Sequence, residues 1–149
     1  MSSHYRLKTR LGKKLQAEGC CGSETVSAFF TDQGDPLDWI ATDLGLDTVR
    51  QSWVDKTRQE LRQETARLLP YGDSFRVWRC GPFRGDVTAV TTDRRVAERG
   101  CKGGYYTYGS KATVYEVDRS DVLVDIQALW PHGYQEREWL VRPRALRRK

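Results

Sequence analysis

No apolar run among the 149 residues approaches the roughly 18–20 that a membrane span needs, so no membrane partner is expected. Histidine is scarce: His4 and His132 show no ligand spacing, and no metal site is expected. Cysteine is limited to Cys20, Cys21, Cys80 and Cys101. Adjacent Cys20-Cys21 make no CxxC clamp, and the start at Met1–Arg6 lacks the apolar stretch of a secretory signal. The four read as free thiols of a reducing cytoplasm. Internal repeats and low-complexity blocks are also missing. What is present, 38% hydrophobic residues with five Trp and seven Tyr, excludes disorder through the body. The length fits one domain, large enough to bury roughly 68–70% of its unfolded surface without staples.

The formal charge of +5 is unevenly placed. Residues 1–14 carry Arg6, Lys8, Arg10, Lys13 and Lys14 with no acid; residues 142–149 carry Arg142, Arg144, Arg147, Arg148 and Lys149 with none either. The body between them holds 15 basic and 20 acidic residues, a balance of −5. A basic body that tracks nucleic acid is not what this composition describes. The basic ends can steer toward an acidic protein or nucleic acid, or simply solubilise.

Helical signals fill the front. Tyr5, Leu7, Leu11 and Leu15 predict a short amphipathic helix ending near Gly19. Asp35-Pro36 predicts a second, stopping near Gly45. A third runs from Asp47, a candidate N-cap, to Leu69, with Val49, Trp53, Leu61 and Leu68 as its apolar stripe and Pro70 as its stop. From Ser74 the texture is strand-like: 75–79, 86–91, 112–117 and 136–141, punctuated by Gly and Pro, with a short helix over 93–99 and a cap or strand start over 120–123. The fold class is therefore α+β, N-terminal helices followed by a mixed or antiparallel β-rich core. Residues 1–70 form the helical part, 71–142 the core and 143–149 a basic tail.

Four stretches carry candidate chemistry. On a strand, Glu136 and Glu138 share a face while Trp139 and Val141 take the other. Two like charges this close suit binding hydroxyls or handling a proton; taken alone, a solvated, charged edge strand is the plainer account. Arg79 ends a strand before Gly81, where a guanidinium can clamp phosphate and the glycine lets a ligand near the backbone; an exposed strand-end arginine is the plainer account. Thr91 and Thr92 close another strand before Asp93, a site for hydroxyl contacts or for local backbone bonds alone. Tyr105, Tyr106 and Tyr108 can stack a ring or pack across a hairpin.

In this order, strand-Arg79-Cys80-Gly81, strand-Thr91-Thr92-Asp93 with Ala97 on the next helix, Val114 to Asp118, then Glu136-x-Glu138, the chain resembles the small mono-ADP-ribosyltransferases of the arginine–serine–glutamate class, toxin-like enzymes that split NAD. The likeness covers about residues 74–142, roughly half the chain. It implies that NAD is the substrate, with Arg79 gripping its phosphate and Gly81, Thr91, Thr92 and Tyr106 lining it. Glu138 is then the catalytic glutamate, bonding the nicotinamide ribose and stabilising an oxocarbenium-like transition state. Glu136 orients or deprotonates the acceptor, and a Glu there goes with a protein arginine. Trp130 and Tyr134 fall on the loop that helps recognise the target. The resemblance further implies an effector of phage or bacterial conflict acting in a host cytoplasm. One departure stands out: Ala89 occupies the place of the family's serine, with Thr91 or Thr88 the nearest hydroxyl. Two rivals follow. Ala89 favours a degenerate transferase fold kept as a binding or inhibitor module; the basic ends favour a nucleic-acid-binding protein, which the acidic body opposes.

Overall fold

A computed structural model describes residues 26–83, 85–102, 111–126 and 137–149. Helix α1 spans Pro36–Leu44, with both ends as its sequence predicts. The Asp35 side chain accepts from the Asp38 amide, Pro36 sits in the first turn, and Gly45 closes the helix at φ 64, a left-handed backbone that glycine adopts without a Cβ penalty. Helix α2 spans Gln51–Leu68, so its start differs from the Asp47 expected. Arg50 is the capping position and makes no side-chain cap bond. Val49 lies ahead of the helix and packs against the core, so an apolar residue that looked like the first of the stripe belongs to the connection. The face α2 buries is Val54, Thr57, Leu61 and Thr65. Of the two buried threonines, Thr65 uses its hydroxyl to accept from the Asp125 amide at 3.2 Å.

Six antiparallel strands follow: β1 (Ser74–Arg79), β2 (Thr88–Thr91), β3 (Thr113–Asp118), β4 (Val122–Asp125), β5 (Glu138–Val141) and β6 (Arg147–Arg148). Helix α3 (Arg94–Lys102) lies between β2 and β3 in sequence, and 3-10 turns occupy Arg119–Asp121 and Pro143–Ala145. The strands pair in the order β4-β5-β2-β1-β3-β6. The protein is α+β.

Outside β4, whose pairing with β5 shifts between Val122 and Val124, register assigns strand residues to a face, because paired residues point the same way and neighbours alternate. One face holds Leu140 and Ala89, against which α1, α2 and the 26–30 turn pack Ile40, Leu44, Val54, Leu61, Phe29 and Phe30. The other holds Val77, Val90, Val117, Trp139 and Val141, with Phe75, Tyr115 and Leu146 packed around them. Each such side chain, fully buried, contributes about 1.5–3 kcal/mol.

Two strands begin two residues later than their sequence predicts. β2 starts at Thr88 and not Asp86, because Asp86 is captured elsewhere: it accepts from the Thr31 hydroxyl at 2.6 Å and the Asp32 amide at 2.7 Å. β5 starts at Glu138, because Arg137 has a left-handed φ of 49. Residues 143–149, expected as a tail, make a turn and the β6 edge strand. Arg147 pairs with Glu116 at 2.9 Å and Asp118 at 2.7 Å, and Lys149 pairs with Glu116 at 2.9 Å. Among the described residues, no helix is long and apolar enough to cross a membrane.

Candidate active site

Strand order brings together segments that are far apart in the chain. β2 lies between β1 and β5 in mid-sheet. Thr91 is paired with Trp78 on one side and Glu138 on the other. The three form one row across three strands and project from the same face, the face that packs against α1 and α2 further along. Neighbouring strands lie about 4.8 Å apart, so ring, hydroxyl and carboxylate are near neighbours. Trp78 was not singled out from sequence. The available signal was its alternation with Arg76 on a strand whose intervening Val77 is core.

Arg79 follows Trp78 and by alternation leaves toward the Val77 face. Past Trp78↔Thr91 its guanidinium bridges the two arms of the β1–β2 hairpin. Nη1 donates to the Ala89 carbonyl at 2.8 Å, while Nη2 and Nε donate to the Pro82 carbonyl at 2.6 and 3.3 Å. Gly81 in that loop has φ 90, a conformation that L side chains avoid. Arg79 and Gly81 thus shape one tight loop next to the row.

Thr91 is buried, and its hydroxyl accepts from the Asp93 amide at 3.1 Å. Asp93 in turn accepts from the Arg95 amide at 2.9 Å and caps α3. The local backbone bonding weighed from sequence is therefore present at Thr91. The Thr92 amide donates to the Arg137 carbonyl at 3.4 Å, which ties the start of β5 to the end of β2. Glu138 is half-buried at the first position of β5. Arg137, the residue just before Glu138, has a positive φ, and β5 begins after it. Glu136 itself, Tyr106 with Tyr105 and Tyr108, and Trp130 and Tyr134 lie outside the described residues, as do Cys20, Cys21 and residues 1–14.

The cysteine expectation is corrected at two positions. Cys80 and Cys101 form a disulfide, with Cα atoms 5.4 Å apart. They are 21 residues apart and carry no spacing signature. The fold brings them together: by alternation Cys80 points to the Trp78 face, where α3 packs on β1 and β2 and presents Cys101, fully buried. The disulfide anchors the Arg79-Gly81 loop to α3.

Behind that loop, Asp86 and Arg142 make a second junction. Arg142 donates to the Phe30 carbonyl at 3.0 Å and lies 3.8 Å from the Asp86 carboxylate. Burial pushes the Asp86 carboxyl up, but the Asp32 amide, the Thr31 hydroxyl, its own amide and Arg142 outweigh it. The carboxyl is held below its ordinary range.

No family model matches the chain, and no curated protein or solved structure does either.

Proposed function

We propose that the protein is a mono-ADP-ribosyltransferase that moves ADP-ribose from NAD to a macromolecule, a protein arginine being the acceptor that Glu136 implies. One observation carries this reading. The three motif-bearing segments, Arg79-Cys80-Gly81, Thr91-Thr92 and Glu138, sit on adjacent strands, although β4, β3 and α3 intervene in sequence. In the reaction the bond between ribose C1′ and nicotinamide breaks, and nicotinamide leaves with the electron pair. An acceptor nitrogen bonds C1′ and gives its proton to a base, the role assigned to Glu136. Glu138 stabilises positive charge developing at C1′, where a fixed carboxylate contributes most. Thr91 supports that carboxylate from the paired position in the row, and Arg79 shapes the loop that faces the cofactor phosphate. Thr92 and Tyr106 complete the NAD contacts. An effector role in phage or bacterial conflict belongs to this proposal as well. The cytoplasmic setting is less favoured than the sequence suggested, since disulfides persist in oxidising compartments.

A second reading, a transferase-type fold retained as a binding module, is favoured by Arg79, which directs Nε, Nη1 and Nη2 to backbone carbonyls, and by Ala89 in place of serine. Incubation with labelled NAD and a cell lysate separates the two. The enzyme transfers label, and Glu138→Gln lowers transfer by about 100-fold or more while its circular dichroism stays that of the parent. Folded parent protein that neither transfers label nor hydrolyses NAD leaves the binding module as the answer.

A further inference from the structure

Over β1, on the same face as Trp78, a groove of about 350 Å³ opens between α3 and the β3–β6 side of the sheet. It shares Trp78 with the row described above and includes none of Arg79, Thr91 or Glu138. Trp78 is half-buried in its wall, and around it stand Arg76, Arg94, Lys111, Lys149 and a single carboxylate, Glu98. The register explains the assembly. Arg76 and Trp78 alternate with buried Val77, so both point into the groove; Val114 pairs with Trp78 across β1–β3. The Lys149 amide bonds the Val114 carbonyl at 3.2 Å, which brings the last residue of the chain to the same spot. Residues remote in sequence thus put four cations around one indole.

Part of that charge is matched. Arg94 pairs with Glu98 at 2.7 Å, and Lys149 pairs with Glu116 at 2.9 Å. Arg76 and Lys111 are exposed and have no ion-pair partner among the described residues. The groove is therefore cationic beyond its internal pairing, in a body whose formal balance is acidic. An acidic peptide would answer the cations but makes no particular use of an indole face. A duplex is too wide for 350 Å³, a volume near the lower end of small-ligand pockets. A nucleotide unit uses both features, its base stacking on the ring and its phosphates meeting the rim, as on single-strand binding surfaces.

We infer that this groove binds single-stranded nucleic acid, one base stacking on Trp78 and the flanking phosphates contacting Arg76 and Lys111. The inference goes beyond the transferase reading and does not depend on it. The test measures fluorescence anisotropy of labelled oligo(U) RNA and oligo(dT) DNA with the full chain, at several salt concentrations. Binding that weakens steadily with salt is expected. Arg76→Ala with Lys111→Ala should reduce the slope of log K against log salt by about 1.4, two contacts at roughly 0.7 each for a single strand. Trp78→Leu should weaken binding about tenfold. Both altered cations are exposed, so this double variant keeps the fold even if Trp78→Leu does not. The RNA and DNA arms decide which strand is preferred. Glu138→Gln should bind the oligonucleotides as the parent does, so failure of the transferase reading and failure of this one are separable. Absence of oligonucleotide binding at low salt by the folded chain overturns the inference, as does binding that the double variant leaves unchanged. Binding of poly-glutamate with the same dependence on Arg76 and Lys111 also overturns it, in favour of an acidic protein.

Discussion

Arg79 is one residue from Trp78 in sequence, yet the two side chains do different work because they leave opposite faces of β1. Trp78 joins the Thr91–Glu138 row. Arg79 holds the Pro82 and Ala89 carbonyls and so fixes the turn at Gly81. A planar guanidinium can address both carbonyls at once, whereas an ammonium is a single point of charge. Arg79→Lys should therefore lower stability by about 1.5–3 kcal/mol, the worth of one hydrogen bond from a charged donor. Urea denaturation at neutral pH measures it. An unchanged midpoint together with lost NAD cleavage would instead assign Arg79 to the cofactor alone. Arg137 is the other residue whose backbone matters to the site. Its left-handed φ sets where β5 begins and hence that Glu138 stands first on the strand. Non-glycine residues hold such a conformation at a cost of about 1–3 kcal/mol, and these residues concentrate at functional sites.

At the scale of elements, α3 is the least self-sufficient piece. Nine residues long, it contains Gly100 and buries Ala97 and Cys101, while Arg94, Arg95 and Arg99 are exposed. A helix this short and polar has little stability alone. Its Asp93 cap and the Cys80–Cys101 bond hold it to the sheet. Cross-linking residues 21 apart restricts the unfolded chain by about 3 kcal/mol. The double variant Cys80→Ala, Cys101→Ala should lose about that much stability, with fast amide exchange appearing first in α3. Exchange that accelerates uniformly over the sheet would show that the bond supports the whole fold equally. These elements also mark what could be read beforehand. α1 was legible at both ends because its signals, Asp35-Pro36 and Gly45, are local. The starts of α2, β2 and β5 were not: Val49 is claimed by the core, Asp86 by Thr31 across 55 residues, and Arg137 by a turn. β6 consists of two arginines, which show no apolar alternation. For the candidate site, Arg79, Thr91 and Glu138 each carry a local strand-end signal, but their adjacency depends on strand order, which periodicity does not encode. The disulfide depends on that order too.

Over the whole molecule, the division into basic ends and an acidic body takes a different form once the chain is folded. The C-terminal end lies along β3 and meets the body's acids. Lys149 and Arg147 hold the Glu116 carboxyl below its ordinary range, and Asp118 and Glu116 raise Arg147 in return. Arg142 joins Phe30 and Asp86, so the 26–30 turn, the β1–β2 loop and the end of β5 are linked at one junction. Residues 142–149 therefore act partly as ties. The two carboxyls set the direction of the pH dependence. A carboxyl whose folded value is depressed contributes stability that is present above its unfolded value, near 4, and is lost as pH falls through the folded value. Asp38 has the opposite sign, because its bond and charge contact with Asp35 raise it. Being exposed at the start of α1, it opposes the trend only weakly. Urea midpoints should stay level from pH 7 to about pH 5 and fall below about pH 4. Added salt should weaken the exposed Glu116 pairs more than the Asp86 junction, which is sheltered and rests partly on neutral donors. Asp86→Asn keeps the side-chain shape but removes the charge that Arg142 and the Asp32 amide stabilise. It should lower the midpoint at pH 7 and flatten the acid decline. A variant that loses stability at pH 7 yet declines as steeply as the parent would place the acid sensitivity at Glu116, and adding salt to that variant should then remove the decline.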